Sequence, residues 1–79
     1  NPARFDFYIT ITADKKQTAF VQFFDIQGHL LYQQQIKINS GFNKFNYPVA
    51  QFKGYTGELI IHIKTDYDLQ KTIRQIIIR

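Results

Sequence analysis

The chain of 79 residues has room for one domain, and its lack of cysteine excludes disulfides, thiolate zinc sites and cysteine catalysis. The net charge is +4, and the lysines and arginines are mostly scattered along the chain instead of forming a clustered stripe, which argues against a nucleic-acid partner. No apolar run approaches the ~18 residues of a membrane span, and no signal peptide is present. Because the chain lacks methionine and opens with Asn1-Pro2, we interpret residues 1–79 as one domain excised from a larger protein.

The first part of the chain predicts two strands and a tight turn. Residues 1–3 form a leading segment, in which Pro2 suits a position just before a strand. Period-two alternation, typical of a half-buried strand, then places four apolar residues on one face: Phe5, Phe7, Ile9 and Ile11. After a polar loop, residues 19–24 carry apolar side chains on both faces, which predicts a central strand. In the turn at residues 25–28, the Asp25 carboxylate can accept amide hydrogens and Gly28 can adopt the left-handed conformation.

The middle of the chain predicts a return strand, a second turn and a crossing loop. The return strand spans residues 29–38 and places on one side Leu30, Tyr32, Ile36 and Ile38. Residues 39–41 form the second turn, and a short strand follows at residues 42–47 before Pro48. Residues 49–57 form a crossing loop with apolar anchors.

The last 23 residues predict an antiparallel hairpin. Two isoleucine-rich runs, residues 58–64 and 72–79, flank a polar tip at residues 65–68, and β-branched residues favour strands. In the first run, three apolar side chains face inward: Leu59, Ile61 and Ile63. No helical periodicity occurs anywhere, so we predict an all-β fold, an immunoglobulin-like β-sandwich of six or seven antiparallel strands.

The residue types that carry chemistry do not cluster in the sequence. His29 and His62 are single and have no ligand-spaced partner, so we interpret both as surface histidines. Asp66 and Asp68 are better explained by a solvated turn than by a calcium site, and Ser40 by its turn than by a nucleophile. No glycine-rich phosphate loop is present. We therefore predict a non-enzymatic domain without metal or cofactor.

Eight phenylalanines and five tyrosines exceed what one small core requires. Six of them cannot all be buried if the strand alternation is right: Tyr8, Phe20, Phe24, Phe42, Tyr55 and Tyr67. Displayed aromatic rings could stack on sugars or anchor a protein interface. The alternative is that they cover the edges and ends of a small sandwich.

Four motifs, taken in order, resemble the C-terminal sorting domain of proteins exported by the type IX (Por) secretion system of gliding and oral Bacteroidetes. They are the opening Asn1-Pro2-Ala3 before an alternating strand, the Asp-x-x-Gly turn at residues 25–28 between apolar strands, the Gly-x-Asn turn at residues 41–43, and the closing strands at residues 57–63 and 71–79. Together they cover essentially the whole chain. Leu59 stands where the family usually has tyrosine, and it keeps the inward apolar role.

The resemblance implies a non-catalytic immunoglobulin-like domain at the end of a larger protein, behind an N-terminal cargo domain. It implies recognition by periplasmic and outer-membrane components of the secretion machinery, and export through the periplasm to the cell surface or the extracellular space. In the family, the signal concentrates in the last strands. Carried over to this chain, the partner-binding residues are Gly57, Leu59, Ile61, Ile63, Lys71, Arg74, Ile76, Ile77, Ile78 and Arg79.

Two other hypotheses remain open. An immunoglobulin-like accessory or carbohydrate-binding module would use exposed aromatic rings, such as those of Tyr8 and Tyr55, to stack on glycans. A purely structural spacer would use neither these rings nor the terminal hairpin. Within the hairpin, residues 76–78 could simply close the core, or they could both close it and offer an edge to a partner.

Overall fold

Alternating apolar and polar residues form strands along most of the chain. The computed structural model describes residues 2–52, 54–67 and 70–77. In these residues the strands are β1 (Pro2–Ala3), β2 (Asp6–Ala13), β3 (Gln17–Phe24), β4 (Leu30–Ile38), β5 (Gly41–Pro48), β6 (Gly57–Thr65) and β7 (Gln70–Ile77). A short 3₁₀ turn, Val49–Gln51, lies in the connection between β5 and β6.

The strands form two sheets. The larger sheet has the order β1-β7-β6-β3-β4, and the smaller sheet consists of β2 and β5. All pairs are antiparallel except the two-residue β1, which runs parallel to β7. The sheets pack face to face as a β-sandwich, which confirms the predicted all-β sandwich of antiparallel strands.

The core lies between the two sheets and follows the predicted alternation. Along β2, the inward residues Phe7, Ile9 and Ile11 are buried while their neighbours are exposed. An aromatic cluster joins the sheets: the centroid of the Phe23 ring lies 4.9 Å from the centroid of the Tyr47 ring and 5.1 Å from that of the Phe52 ring. Phe52 and the buried Val49 are the apolar anchors predicted for the crossing loop.

The central position predicted for residues 19–24 is also confirmed. β3 pairs with β4 on one side and with β6 on the other. Its inward residues Val21 and Phe23 are fully buried, whereas Phe20 faces outward and is 48% exposed. The sequence predicts a first loop of residues 13–18, but β2 extends to Ala13 and β3 begins at Gln17, so the loop is shorter and spans residues 14–16.

The turn between β3 and β4 has the predicted chemistry. Asp25 Oδ1 accepts the backbone N–H groups of Gln27 and His29, each at 2.9 Å, and Gly28 adopts a φ of +90°. These hydrogen bonds hold the pKa of the Asp25 carboxyl below its usual range, and the bond from the His29 amide has the largest effect. The second carboxylate oxygen lies 2.9 Å from Nδ1 of His29, whose side chain remains largely exposed.

Two predicted inward positions are wrong. Phe5 is 78% exposed, because the β2–β5 ladder ends at the pair Asp6 and Pro48 and the chain bends before it. Leu30 is 48% exposed, because the β3–β4 register shifts between Phe23 and Phe24. That shift pairs Leu30 with the outward-facing Phe24, and a one-residue slip moves a side chain to the other face of a sheet.

Candidate functional site

The candidate site is the terminal hairpin formed by β6 and β7. The strands pair in register from Gly57 opposite Ile77 to Lys64 opposite Gln70, which confirms the predicted antiparallel hairpin. β6 also pairs with β3, so the hairpin is part of the larger sheet and is not a separate flap. One face of the hairpin meets the core, and the other face is turned away from the smaller sheet.

The inward half of the predicted partner-binding set lies in the core. Leu59, Ile61 and Ile77 are fully buried, and Ile63 is 4% exposed. The inward position of Leu59, Ile61 and Ile63 in β6 is as predicted, and Ile77 lies inward in β7. Burial leaves all four side chains out of reach of a partner while the hairpin stays in the sheet. In the folded domain, these four residues can act on recognition only by holding the hairpin in place.

The accessible half of the predicted set lies on β7. Lys71 and Arg74 are exposed, and Ile76 is 44% exposed. Ile78 and Arg79 lie outside the described residues. We define the hairpin outer face as the outward residues of both strands, which form cross-strand pairs: Glu58 with Ile76, Ile60 with Arg74, and His62 with Thr72.

The hairpin outer face combines apolar and basic side chains. A guanidinium nitrogen of Arg74 lies 3.2 Å from a carboxylate oxygen of Glu58, with the arginine side chain 69% exposed. An ion pair this exposed contributes little to stability, so the arginine can be engaged by another partner at low cost. His62 is exposed, as predicted, and its ring makes a T-shaped contact with the Phe24 ring, with 5.6 Å between the centroids.

Grooves border the hairpin outer face. One of about 420 Å³ is lined by residues that include Phe20, Gln35, Lys64 and Asp66. A neighbouring one of about 150 Å³ is lined by residues that include His62, Lys71 and Thr72. Both are formed by side chains on the sheet surface, and they extend the mixed apolar and basic character of the hairpin across β3.

The leading segment is not merely a lead-in to the first strand, as the sequence suggested. Pro2 and Ala3 form β1, which pairs in parallel with Ile76 and Ile77. This strand covers the end of β7, because it lies on the side opposite β6. Over residues 71–74, the described part of the chain places no strand beside that edge of β7.

Gly57 starts the hairpin in a conformation that favours glycine. Its φ is +124°, and a Cβ built on it would lie 3.7 Å from the hydroxyl of Tyr55, an ordinary contact. The requirement for glycine therefore comes from the backbone and not from crowding. Tyr55 donates a hydrogen bond from its hydroxyl to the backbone carbonyl of Glu58, which fixes the chain as it enters β6.

The tip of the hairpin forms hydrogen bonds with the start of β3 and is not only solvated. Asp66 Oδ1 accepts the N–H of Thr18 at 2.9 Å, and the Asp66 N–H donates to the Thr18 carbonyl at 3.1 Å. Asp68 lies outside the described residues. Within the described ranges, no group of three or more histidine, aspartate or glutamate side chains is close enough together to hold a metal ion.

The predicted exposure of aromatic rings is largely confirmed. Phe42, Tyr67 and Tyr8 are more than half exposed, whereas Tyr55 packs against the core. The Tyr8 ring lies on the smaller sheet beneath the Lys44 ammonium, 4.2 Å from its centroid. The two tyrosines considered for glycan stacking therefore differ: Tyr8 is more than half exposed, with Lys44 over one face of its ring, whereas Tyr55 is partly buried.

No protein-family model matches the chain, and neither the curated proteins nor the solved structures contain a significant match. Among the residues described, no helix is long and apolar enough to cross a membrane.

Proposed function

We propose that this chain is a non-catalytic C-terminal sorting module that directs a cargo protein across the outer membrane through the type IX secretion system. The observation that supports this most is the division of the terminal hairpin into two faces. Its inward isoleucines secure it in the core, while Arg74 and Ile76 stay accessible on the hairpin outer face. Lys71 pairs with the inward Ile63 and so lies on the other face, where it is exposed near the hairpin tip.

The division matters because a recognition element must be both fixed and reachable. An edge strand can accept an extended segment of a partner, with main-chain hydrogen bonds supplying affinity and side chains supplying specificity. On β7, specificity would come from the two cations and the exposed isoleucine. The proposed partners are periplasmic and outer-membrane components of the machinery, and the proposed destination is the cell surface or the medium. Ile78 and Arg79 belong to the proposed signal but lie outside the described residues.

The other matched motifs have structural roles that fit a sorting module. The Asp25 turn closes the β3–β4 hairpin. Residues 41–43 do not form the predicted turn but the start of β5, where the Asn43 amide donates to the Ile11 carbonyl of β2. Both segments build the scaffold that presents the hairpin, so we assign them no direct contact with the machinery.

A fusion experiment tests the proposal. The chain is joined behind a periplasmic reporter in a bacterium that has the system, and the reporter is measured in the periplasm, on the cell surface and in the medium. We expect export that is lost in a strain lacking the secretion machinery. Periplasmic retention of a correctly folded fusion in the competent strain would contradict the proposal.

A second candidate, glycan binding, rests on the exposed ring of Tyr8 and its polar neighbours on the smaller sheet. Thr10 and Asn46 lie on the same outer face. Binding on a glycan array that disappears with Tyr8→Ala would favour this candidate, and an array without signal would count against it.

A further inference from the structure

We propose that β4 is an interface between two copies of this chain, in which its outer edge pairs antiparallel with β4 of a second copy about a two-fold axis at Gln34. The pairing would join the two larger sheets into one continuous sheet. This inference does not depend on the proposed sorting function, because β4 lies at the opposite edge of the larger sheet from the terminal hairpin.

β4 is a long edge strand with little protection. It spans nine residues and pairs with β3, and the described residues place no strand on its other side. Folded proteins usually protect such edges with charges, prolines, bulges or a covering segment. β4 carries a single charge, that of Lys37, and its register shift lies at the far end near Leu30. By contrast, β7 carries Lys71 and Arg74 and is partly covered by β1.

The sequence of β4 is complementary to itself in one register. An axis through Gln34 places Gln33 opposite Gln35 of the second copy, and Tyr32 opposite Ile36. Outward residues then meet outward residues, and inward residues meet inward residues. Lys37 meets Leu31 of the second copy, so no like charges face each other.

The neighbouring registers match less well. An axis at Gln33 would bring Lys37 opposite His29 and Tyr32 opposite Gln34. An axis at Gln35 would bring the amide of Gln34 opposite Ile36. Each of these places the inward amide of Gln34 opposite an apolar side chain, whereas the Gln34 register places it opposite Gln34 of the second copy. The one mixed pair of the Gln34 register, Lys37 with Leu31, lies on the exposed outer face.

The side chains in the Gln34 register can satisfy one another. Gln22 Nε2 already donates to Gln33 Oε1 at 3.3 Å, so an amide row crosses from β3 to β4 on the outer face. Gln35 of a second copy would continue that row, and cross-strand pairs of this kind stabilise sheets. On the inner face, Tyr32 is half-buried and Ile36 is 8% exposed, and pairing would cover what remains of both.

Cysteine cross-linking tests the register, since the chain has no cysteine of its own. Residues directly opposite each other have Cα atoms ~4.5–5.5 Å apart, within the range of a disulfide, whereas diagonal neighbours at ~7–8 Å exceed it. We expect a mixture of Gln33→Cys and Gln35→Cys chains to form a mixed disulfide, and either variant alone to remain uncross-linked. Equal cross-linking of each variant alone, or none in the mixture, would overturn the proposed pairing.

Charge substitutions at the same exposed positions test the interface without touching the core. Gln33→Lys with Gln35→Lys places like charges opposite each other, and we expect a mass of 9.4 kDa by sedimentation at concentrations where the unchanged chain reaches twice that value. The matched variant, Gln33→Glu with Gln35→Lys, creates opposite-charge pairs and should keep the dimer. Circular dichroism verifies that both variants fold. An unchanged chain that stays monomeric up to about 1 mM, or a lysine pair that still dimerises, would overturn the proposal.

Discussion

Replacement of Asn43 should destabilise the domain far more than its place beside a surface turn suggests. Its side chain is 7% exposed and links three parts of the chain. The amide nitrogen donates to the carbonyls of Ile11, Asn39 and Gly41 at 2.9–3.1 Å, and the amide oxygen accepts the N–H of Asn39 at 2.9 Å. Removal of this side chain therefore takes a partner from the buried Ile11 carbonyl and from part-buried backbone groups of Asn39 and Gly41.

The expected magnitude follows from the number of hydrogen bonds. The two N–H donors and one acceptor of Asn43 contribute roughly 0.5–1.5 kcal/mol each, so Asn43→Ala should cost about 2–4 kcal/mol. A domain of 79 residues has a total stability of roughly 4–12 kcal/mol, so the loss is a large fraction of it. Asn43→Asp should cost still more at pH 7, because an ionised carboxylate has no hydrogen to donate to the three carbonyls.

Urea unfolding followed by circular dichroism measures these differences. The deficit of Asn43→Asp relative to Asn43→Ala should shrink as pH falls, because a protonated carboxyl regains one donor. The exposed neighbour Asn46 offers a matched control, and Asn46→Asp should change the unfolding free energy by less than about 0.5 kcal/mol. An Asn43→Asp domain as stable as the unchanged one at pH 7 would refute the assigned hydrogen bonds.

Three further predictions concern the core, the hairpin start and alkaline pH. Because the Ile61 side chain is fully buried, Ile61→Ala should lower the unfolding free energy by about 2–5 kcal/mol and Ile61→Val by about 0.5–1.5 kcal/mol. Equal effects of the two substitutions in urea titrations would contradict this. Gly57→Ala should cost about 1–3 kcal/mol through its φ of +124°, and an unchanged thermal midpoint would argue against that strain. Burial raises the pKa of Tyr47 to about 12, so its contribution to stability is constant below pH 10 and is lost as pH rises from 10 to 12. Tyr47→Phe should reduce the loss of stability between pH 10 and 12, and an undiminished loss would show that Tyr47 does not cause it. At neutral pH the same substitution should lower the unfolding free energy by about 1 kcal/mol, because it removes the hydrogen bond to Gln34.

Much of the sandwich follows from local patterns in the sequence. Alternation identifies β2 and the inward side chains of β6, and the chemistry of Asp25 and Gly28 identifies the turn between β3 and β4. These features depend on residues close together in the chain, whose geometry a short stretch of sequence can specify.

The features that the sequence does not predict depend on contacts between distant residues. The parallel pairing of β1 with β7 joins opposite ends of the described chain, and nothing local to Pro2 or Ala3 indicates it. The outward turn of Leu30 depends on a register shift against β3. The bond from Asn43 to a carbonyl on β2 likewise joins residues 32 positions apart.

For the candidate site, the sequence identifies the hairpin but does not separate the residues that anchor it in the core from those that a partner can reach. The inward alternation of Leu59, Ile61 and Ile63 is readable from the sequence. Which residues of β7 stay accessible depends on β1 and on the sheet as a whole. Among the described residues of the predicted set, the side chains that a partner can reach directly are those of Lys71, Arg74 and Ile76.

Export of a reporter fusion carrying Lys71→Glu and Arg74→Glu tests the central claim most directly. The matched control is Lys44→Glu, which reverses an exposed cation on the smaller sheet. All fusions must first show unchanged unfolding in urea. We predict that the double variant stays in the periplasm while the control is exported like the unchanged chain. Undiminished export of a folded double variant would contradict the assignment of recognition to the exposed cations of β7.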